Sequence, residues 1–168
     1  AKEAINKLII KLIDKDGNWV TKPTNVDCGL LSYAILKNSK DYKKIKPAMD
    51  YSIGIIEKNI CEDGMIAYTS DKNVDERYVD TLGFVCPFLQ LYSNIYAEEK
   101  FSKISLEQIN QYNKYGLLHD TYLPNHAYNP KNKLPLGVYG WGRGVAWYVI
   151  GLIDTYIEIK DSDEKLIL

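Results

Sequence analysis

Arginine is scarce in this sequence, and one of its two arginines lies between two tryptophans. Of the 21 basic residues only Arg77 and Arg143 are arginine, and Arg143 lies in the stretch GWGRGVAW, between Trp141 and Trp147. A guanidinium group binds a carboxylate through two parallel hydrogen bonds and stacks on aromatic rings, which lysine does poorly. Flanking glycines let the backbone approach a ligand closely. The pattern favours an anionic ligand with an apolar face, such as a uronic acid, although a structural ion pair at a helix start explains it equally well.

Two aspartates lie where a carboxyl group could transfer protons. Asp80, in RYVDTLGFVCPFL, is close to the start of a helix that is apolar on nearly all sides, which would enclose its carboxyl group. Asp27, in TNVDCGLL, has the corresponding place in an earlier helix. If both carboxyl groups faced one cavity, they could divide the acid and base roles. Helix capping by either residue, or pairing of Asp80 with Arg77, is the structural alternative.

Both histidines lie in a proline-bearing segment, residues 116–142, that shows no helical period. His119 in LLHDTY and His126 in PNHAYN are seven residues apart, which is not a metal-ligand spacing on a helix. We therefore expect no metal site. Long segments of this kind in compact domains are typically functional or disordered, and the tryptophan and tyrosines here favour function. His126 is the better candidate for a hydrogen bond to a sugar, with a surface position as the alternative.

The composition of the 168 residues excludes several classes of partner. With 46% hydrophobic residues the chain can bury a sizeable core, so we expect a single domain over residues 1–168. The net charge is −1 and no basic stretch is present, which argues against nucleic acid and anionic membranes. No apolar run approaches the roughly 20 residues of a membrane span, and the first residues alternate charged with apolar side chains, so we expect no signal peptide there. The three cysteines form no close pair, so we expect a cytoplasmic, reducing location.

Apolar residues at helical spacing predict six helices, which would make the protein all-α. The fourth helix is apolar over nearly its whole circumference, as expected for a helix enclosed by others. Ser105 and Gln108 match a capping box, which predicts the start of the fifth. The predicted helices lie around 5–12, 30–35 and 49–56, then at 77–96, 105–116 and 143–160.

Glycine-bearing turns recur along the chain at intervals of about 50 residues. They are DKDGNW around Gly17, CEDGMI around Gly64 and NKYGLL around Gly116. Each unit would consist of a turn, an inner helix and an outer helix, and such units stack into a solenoid or close into an α/α toroid. Ordinary helical hairpins that happen to share a glycine are the alternative.

Three motifs, taken together and in this order, resemble those of glycoside hydrolase families 88 and 105, the unsaturated glucuronyl and rhamnogalacturonyl hydrolases. They are RYVDTLGFVCPFL, NHAYN and YGWGRGVAWYVIGLIDTY, within a resemblance that covers about residues 17–156. The resemblance implies helical hairpin repeats of the (α/α)6 toroid type, of which this chain would form about half. It also implies that Asp80 is the general acid/base and Asp27 a second acidic residue of the pocket. The residues in contact with substrate would be His126, Trp141, Arg143 and Trp147.

The chemistry implied by this resemblance is hydration of the 4,5 double bond of an unsaturated uronyl residue, with neither a metal nor an organic cofactor. Half a toroid would leave apolar faces on its inner helices, so we expect a second copy or a missing chain segment to complete it. Two alternatives belong to other classes. One is a saccharide-binding module that has lost catalysis, and the other is an α-solenoid that binds a peptide on its concave surface.

Overall fold

The computed structural model describes residues 8–9, 11–69 and 75–160. Within these residues there are five helices and three short strands. In chain order they are α1 (Cys28–Asn38), α2 (Tyr42–Lys58), β1 (Arg77–Tyr78), α3 (Asp80–Tyr96), α4 (Lys100–Tyr115), β2 (Asn125–Tyr128), β3 (Pro135–Tyr139) and α5 (Gly142–Glu158). The first predicted helix is confirmed where it is described, since Leu8, Ile9, Lys11 and Leu12 are helical. Its other residues lie outside the described part of the chain.

The helices form two layers, and α3 is at the centre. It packs against α1 on one side and α5 on the other, while α4 covers it from the second layer and α2 packs on α1. Of the 17 residues of α3, 13 are buried, which is the enclosure predicted from its apolar circumference. The inner helices are therefore α1, α3 and α5, and the outer helices are α2 and α4.

The three inner helices run in the same direction, and their carboxyl ends meet at Glu158. The Glu158 carboxylate accepts a hydrogen bond from the Tyr33 hydroxyl at 2.7 Å and forms an ion pair with Lys37, both in α1. The side-chain amide of Asn94, in α3, donates to the backbone carbonyl of Glu158 at 2.5 Å. The amino ends of the same helices consequently lie together at the opposite end of the layer.

Glycines allow the inner helices to approach one another near these amino ends. A Cβ atom on Gly83 would lie 2.7 Å from Cε3 of Trp147 in α5. A Cβ atom on Gly29, in α1, would lie 2.3 Å from the carbonyl oxygen of Phe84 in α3. Neither separation is sterically allowed, so both contacts require glycine. The first turns of α1, α3 and α5 are thereby brought within reach of each other's side chains.

The glycine repeat is confirmed for the first two units. Gly17 and Gly64 lie in short turns, each closed by an isolated antiparallel bridge, at 13–19 and at 60–66. Both glycines have positive φ, +85° and +77°, a backbone conformation that other residues adopt with strain. Unrelated hairpin turns would not be expected to share a glycine of positive φ at the same place inside a bridged turn.

The third unit departs from that arrangement. Gly116 has φ −97° and caps α4, so it precedes the bridge between Leu117 and Pro124 and does not lie inside it. The lack of a side chain at Gly116 makes room for the ring of Tyr112, because a Cβ atom at this position would lie 2.4 Å from Cε1 of that ring. The repeat therefore continues as an arrangement of helices and not as an identical turn.

The fourth predicted helix was placed over 77–96, and its start is wrong. It begins at Asp80, because Arg77 and Tyr78 form β1 and pair with Tyr128 and Ala127 of β2. Apolar periodicity cannot reveal a strand of two residues whose partner lies some 50 residues away in the sequence. Asp80 is thus the first residue of the helix, directly beyond a strand that ties it to the segment containing His126.

The segment 116–142 contains a β-hairpin. β2 pairs in antiparallel fashion with β3, giving a three-stranded sheet in the order β1-β2-β3. The register is irregular between Asn125 and Ala127, where His126 lies. The backbone N–H of Val79 donates to the carbonyl of His126 at 3.0 Å. Strand pairing therefore carries His126 to the amino end of α3.

The predicted capping box at Ser105 and Gln108 is wrong, because both residues lie inside α4. The Ser105 hydroxyl donates to the Cys86 carbonyl in α3 at 2.9 Å. The Gln108 side chain accepts from Ile66 N–H at 2.8 Å and donates to the Gly64 carbonyl at 3.0 Å. These side chains bind other segments, so their spacing mimics a cap without forming one.

The apolar residues at helical spacing in α1 are Leu30, Leu31, Ala34 and Ile35, which predicts that this face is buried, but only Ile35 is. Leu30, Leu31 and Ala34 are exposed, and the face that packs on the core includes Gly29 and Ser32. Small residues permit the close approach to α3, so the helix turns this side inward. The two leucines remain on the surface at one edge of the inner layer.

Candidate active site

Asp80 lies at the amino end of α3 with a buried carboxyl oxygen that lacks a hydrogen bond. Its side chain is 15% exposed, and Oδ2 has no hydrogen-bond partner within the described structure. Nε2 of His126 lies 3.7 Å from Oδ2, which is within ion-pair distance when the imidazole is protonated but too long for a hydrogen bond. Buried polar atoms are nearly always paired, so an unpaired oxygen marks a place where a ligand can bind.

His126 is held between two aromatic rings. The ring of Tyr78 contacts it with centroids 5.1 Å apart and the ring of Trp141 with centroids 4.8 Å apart, both edge-to-face. Gly137, with φ +75°, brings the backbone of β3 against its Cβ atom. The His126 side chain therefore contacts two rings and the backbone of β3 while staying 39% exposed, and its Nε2 lies 3.7 Å from Oδ2 of Asp80.

These contacts belong to a continuous series of six rings, here called the aromatic arc. The arc begins and ends near the start of α5, and successive centroids are 4.5 to 6.0 Å apart. Aromatic faces next to a carboxyl group and a cation form a surface suited to a sugar ring, which has apolar and polar sides. In order, its members are Trp141, His126, Tyr78, Tyr68, Phe84 and Trp147.

Arg143 stacks on the first ring of the arc. Its Cζ atom lies 4.2 Å from the centroid of Trp141, and the residue is exposed in the first turn of α5. Gly144 makes this possible, since a Cβ atom there would lie 3.0 Å from Cε3 of Trp141 and 3.2 Å from Cγ1 of Val79. The start of α5 therefore packs directly against Val79, the residue before Asp80. The planar guanidinium group of Arg143 lies exposed at this helix start.

The structure brings four of the six predicted site residues into one cluster, namely Asp80, His126, Trp141 and Arg143. Trp147 joins the other end of the arc, where it packs against Phe84 at 4.5 Å. Within the described residues, no hydrogen bond or ion pair links Asp27 to this cluster. It is exposed at the start of α1 and makes no side-chain capping bond, so capping does not explain it. Its role in the pocket stays a prediction.

Arg77 lies in a different environment from Arg143. It is 6% exposed and pairs with Asp63 through Nε at 3.0 Å, so the alternative of an Arg77–Asp80 pair is not what the structure shows. Beside it lies a cavity of about 590 Å³ that is also lined by Asp75 and Lys131, which pair at 2.8 Å. Four of the five charged side chains that line that cavity pair with one another, Arg77 with Asp63 and Lys131 with Asp75. The unpaired oxygen of Asp80 therefore marks the better candidate site.

Sequence reasoning missed Tyr78 and Tyr68. Tyr78 donates its hydroxyl hydrogen bond to Glu76, and this bond, together with burial and the charges of Glu76 and Asp80, raises the pKa of Tyr78 to about 12. The position of Tyr78 two residues before Asp80 could have indicated that its side chain lies close to the site. Nothing in the sequence indicates that Tyr68 returns to the site.

Comparison with known families decides the classification. The model of Glycosyl Hydrolase Family 88 matches residues 1–166. The chain belongs to glycosyl hydrolase family 88. The predicted resemblance is confirmed, and with it the fold class, because the described helices are those of an α/α toroid.

Solved structures similar to this family 88 chain show the same fold. A family 105 glycoside hydrolase from C. acetobutylicum ATCC 824 matches with a TM-score of 0.79 at 20% identity, over 99% of this chain and 51% of that one. An unsaturated glucuronyl hydrolase specific for heparin matches with a TM-score of 0.66 at 17% identity, over 97% and 46%. PssZ from Listeria monocytogenes matches with a TM-score of 0.53 at 14% identity, over 81% and 44%. The chain therefore spans about half the length of these proteins.

Other comparisons add little to the assignment. No curated protein shows significant similarity to the sequence. The described residues contain no group of three or more side chains placed to hold a metal ion. None of the described helices is long and apolar enough to cross a membrane. The cytoplasmic location stays a prediction.

Proposed function

We propose that this family 88 chain acts on oligosaccharides that end in a 4,5-unsaturated uronyl residue. The observation that carries the proposal is the buried, unpaired Oδ2 of Asp80, which faces His126 within the aromatic arc. The name of one similar structure, an unsaturated glucuronyl hydrolase, supports this class of substrate, and that of the family 105 enzyme supports glycoside hydrolysis. Asp80 is the general acid/base in this proposal.

The proposed reaction adds water across the double bond. The Asp80 carboxyl group gives its proton to C4, and water adds at C5 while returning a proton to Asp80. The product is a hemiketal at C5, which opens to a ketone and leaves a hemiacetal at C1. Loss of the next sugar from C1 completes cleavage. The glycosidic oxygen does not need to be protonated directly. The usual relation between the distance separating two catalytic carboxyl groups and the stereochemical outcome therefore does not apply.

The remaining site residues bind the sugar in this proposal. Arg143 holds the uronate carboxylate or a neighbouring hydroxyl, and Trp141 and Trp147 flank the ring. His126 donates a hydrogen bond next to the reacting carbons. Asp27 supplies the second carboxylate at the amino end of α1, where it can polarise the water.

The test is loss of the ultraviolet absorbance of the conjugated uronyl group with unsaturated disaccharides from pectin and glycosaminoglycan lyase digests. The wild type should bleach the absorbance, and Asp80→Asn should lower the rate at least about 100-fold, since the proton donor is lost. Asp120→Asn is the matched control, because Asp120 is exposed and its side chain forms no hydrogen bond or ion pair within the described residues. It should react like the wild type.

Two results would contradict the proposal. Binding of the disaccharide without bleaching would identify a saccharide-binding module that lacks catalysis. Equal rates for wild type and Asp80→Asn would remove Asp80 from the chemistry.

A further inference from the structure

The candidate site contains a tyrosine whose hydroxyl is already committed. Tyr78 donates to the carboxylate of Glu76, two residues before it, and its pKa is raised to about 12 chiefly by this bond. Tyr78 is therefore a neutral phenol at physiological pH, and its hydroxyl hydrogen is engaged in the bond to Glu76. Any contribution it makes to the site must come from its ring.

The ring of Tyr78 is placed to fix the orientation of His126. It contacts the imidazole edge-to-face at an interplanar angle of 61°, and Trp141 contacts the same imidazole edge-to-face at 74°. His126 lies at the register irregularity of β2, where regular strand pairing does not determine the direction of a side chain. The two rings therefore supply the constraint that the backbone does not.

Tyr78 is itself held from two directions. Its hydroxyl is tied to Glu76, and its ring contacts Tyr68 with centroids 6.0 Å apart. The conformation of Tyr78 is thereby fixed through Glu76 and Tyr68. The imidazole that it contacts lies close to Asp80, with 3.7 Å between Nε2 of His126 and Oδ2 of Asp80.

We propose that Tyr78, anchored by Glu76, is a positioning residue that holds the imidazole of His126 against Asp80. Its effect on catalysis rests on the proposed function, whereas its effect on geometry does not. Without the ring, His126 can rotate away from Asp80, and the hydrogen-bond donor beside the reacting carbons is lost.

The geometric test uses the fact that the chain has only two histidines. In proton NMR spectra, His126 should show nuclear Overhauser effects to the indole of Trp141 and ring-current shifts, with the exposed His119 as an internal reference. Tyr78→Leu should abolish both signatures. Tyr78→Phe should retain most of them because the ring remains, and Glu76→Gln should give an intermediate result.

A matched control excludes a general effect of losing a tyrosine. Tyr122→Leu makes the same substitution at a residue that is 74% exposed and has no ring contact within the described structure. It should leave the His126 signals unchanged. Retention of the wild-type signals in Tyr78→Leu would overturn the inference. If that variant does not fold, unchanged His126 signals in Glu76→Gln would overturn it.

The kinetic test measures whether Tyr78 and Glu76 act as one unit. Tyr78→Leu should lower kcat/KM on the order of 10-fold, mainly through kcat, and Tyr78→Phe should recover most of the loss. The double variant Tyr78→Phe with Glu76→Gln should be no slower than the slower single variant. Multiplied losses would contradict the anchoring role. An inactive wild type would refute the proposed function, and the NMR result would still decide the positioning role.

Discussion

Arg143 and Arg77 are the only guanidinium groups of the chain, and the structure gives them different surroundings. Arg143 is exposed and stacks on the face of Trp141. Arg77 is buried and paired with Asp63. Arg143 therefore has a geometry suited to binding a ligand, and Arg77 has a structural one. Replacing each with lysine should distinguish these two roles.

Arg143→Lys should weaken substrate binding without affecting stability. Lysine keeps the charge but loses the planar fork and the stacking on Trp141, so KM should rise about 10-fold, equivalent to about 1.4 kcal/mol. The unfolding free energy should change by less than about 0.5 kcal/mol. Initial-rate kinetics and urea unfolding measure the two quantities.

Arg77→Lys is the paired comparison. It should lower the free energy of unfolding by about 1 to 3 kcal/mol, because a buried hydrogen-bonded ion pair loses its geometry. KM should stay within about twofold of the wild type. The reverse pattern, with stability lost at Arg143 and KM raised at Arg77, would contradict the assignment of both residues.

Part of the site could be predicted from sequence at this scale. Trp141, Arg143 and Trp147 lie within one short motif, so their proximity follows from the chain itself. Tyr68 contacts Phe84 only because the chain folds back on itself, and no local signal encodes that return. Adjacent residues are predictable, whereas a ring contact between distant segments requires the tertiary structure.

At the scale of elements, contact between inner helices fixes where Trp147 lies. Gly83, in α3, is directly beneath the Trp147 indole, and a Cβ atom at this position would lie 2.7 Å from it. This contact belongs both to the core and to the aromatic arc. A change in helix packing should therefore alter stability and the site together.

Gly83→Ala should destabilise the protein by about 1 to 3 kcal/mol, because the added methyl group forces α5 away from α3. Gly54→Ala is the matched control, since a Cβ atom at Gly54 in α2 meets nothing within 4 Å. It should stabilise the protein by about 0.5 to 1 kcal/mol through helix propensity. Urea unfolding distinguishes them, and equal effects would contradict the close packing.

Apolar periodicity predicts that the helices exist, but it predicts their boundaries and their buried faces less well. α5 runs over 142–158, close to the predicted 143–160. α3 starts later than predicted because a strand precedes it. α4 starts earlier, at Lys100, and the Ser105 hydroxyl that matched a cap donates instead to Cys86 in α3. Boundaries depend on partners distant in sequence, and a periodic pattern carries no information about them.

At the scale of the whole molecule, both edges of the inner layer carry exposed apolar side chains. On α5 they form one stripe, with Ile153 at 53% and Ile157 at 57% exposure beside Val149 and Tyr156. On α1 the exposed pair is Leu30 and Leu31. An apolar helix face of this kind is typically covered by another surface.

We predict that the chain self-associates through α5. Sedimentation velocity at about 10 to 100 µM should show a species larger than the monomer. The double variant Ile153→Lys with Ile157→Lys should shift the population towards monomer. Val20→Lys, at an exposed residue in a turn, is the control and should associate like the wild type. A monomer at every concentration in all three proteins would contradict the prediction.

The tyrosines should make the protein sensitive to alkaline pH. Folding raises the pKa of seven of the 14 tyrosines, to about 12 for Tyr33, Tyr78 and Tyr96. Burial is the main cause at all of them except Tyr78, where the bond to Glu76 is larger. The folded state therefore binds more protons than the unfolded state above about pH 10.

The contribution of these tyrosines to stability should consequently be fully present below about pH 9 and be lost as the pH rises from about 10 to 12. Urea midpoints measured across this range test the sign. Phenolate absorbance should rise in two stages, with about half of the tyrosines titrating only on unfolding. Titration of all of them near pH 10 in the folded protein would contradict the burial of these side chains.

The central claim is that Asp80 delivers a proton to C4 of an unsaturated uronyl residue, and reaction in deuterated water tests it most directly. If the claim is right, the wild type should yield a 5-keto product carrying one deuteron at C4, seen by NMR, and Asp80→Asn should yield none. Release of the neighbouring sugar with the double bond intact and no deuterium at C4 would show direct glycosidic cleavage. That result would contradict the account.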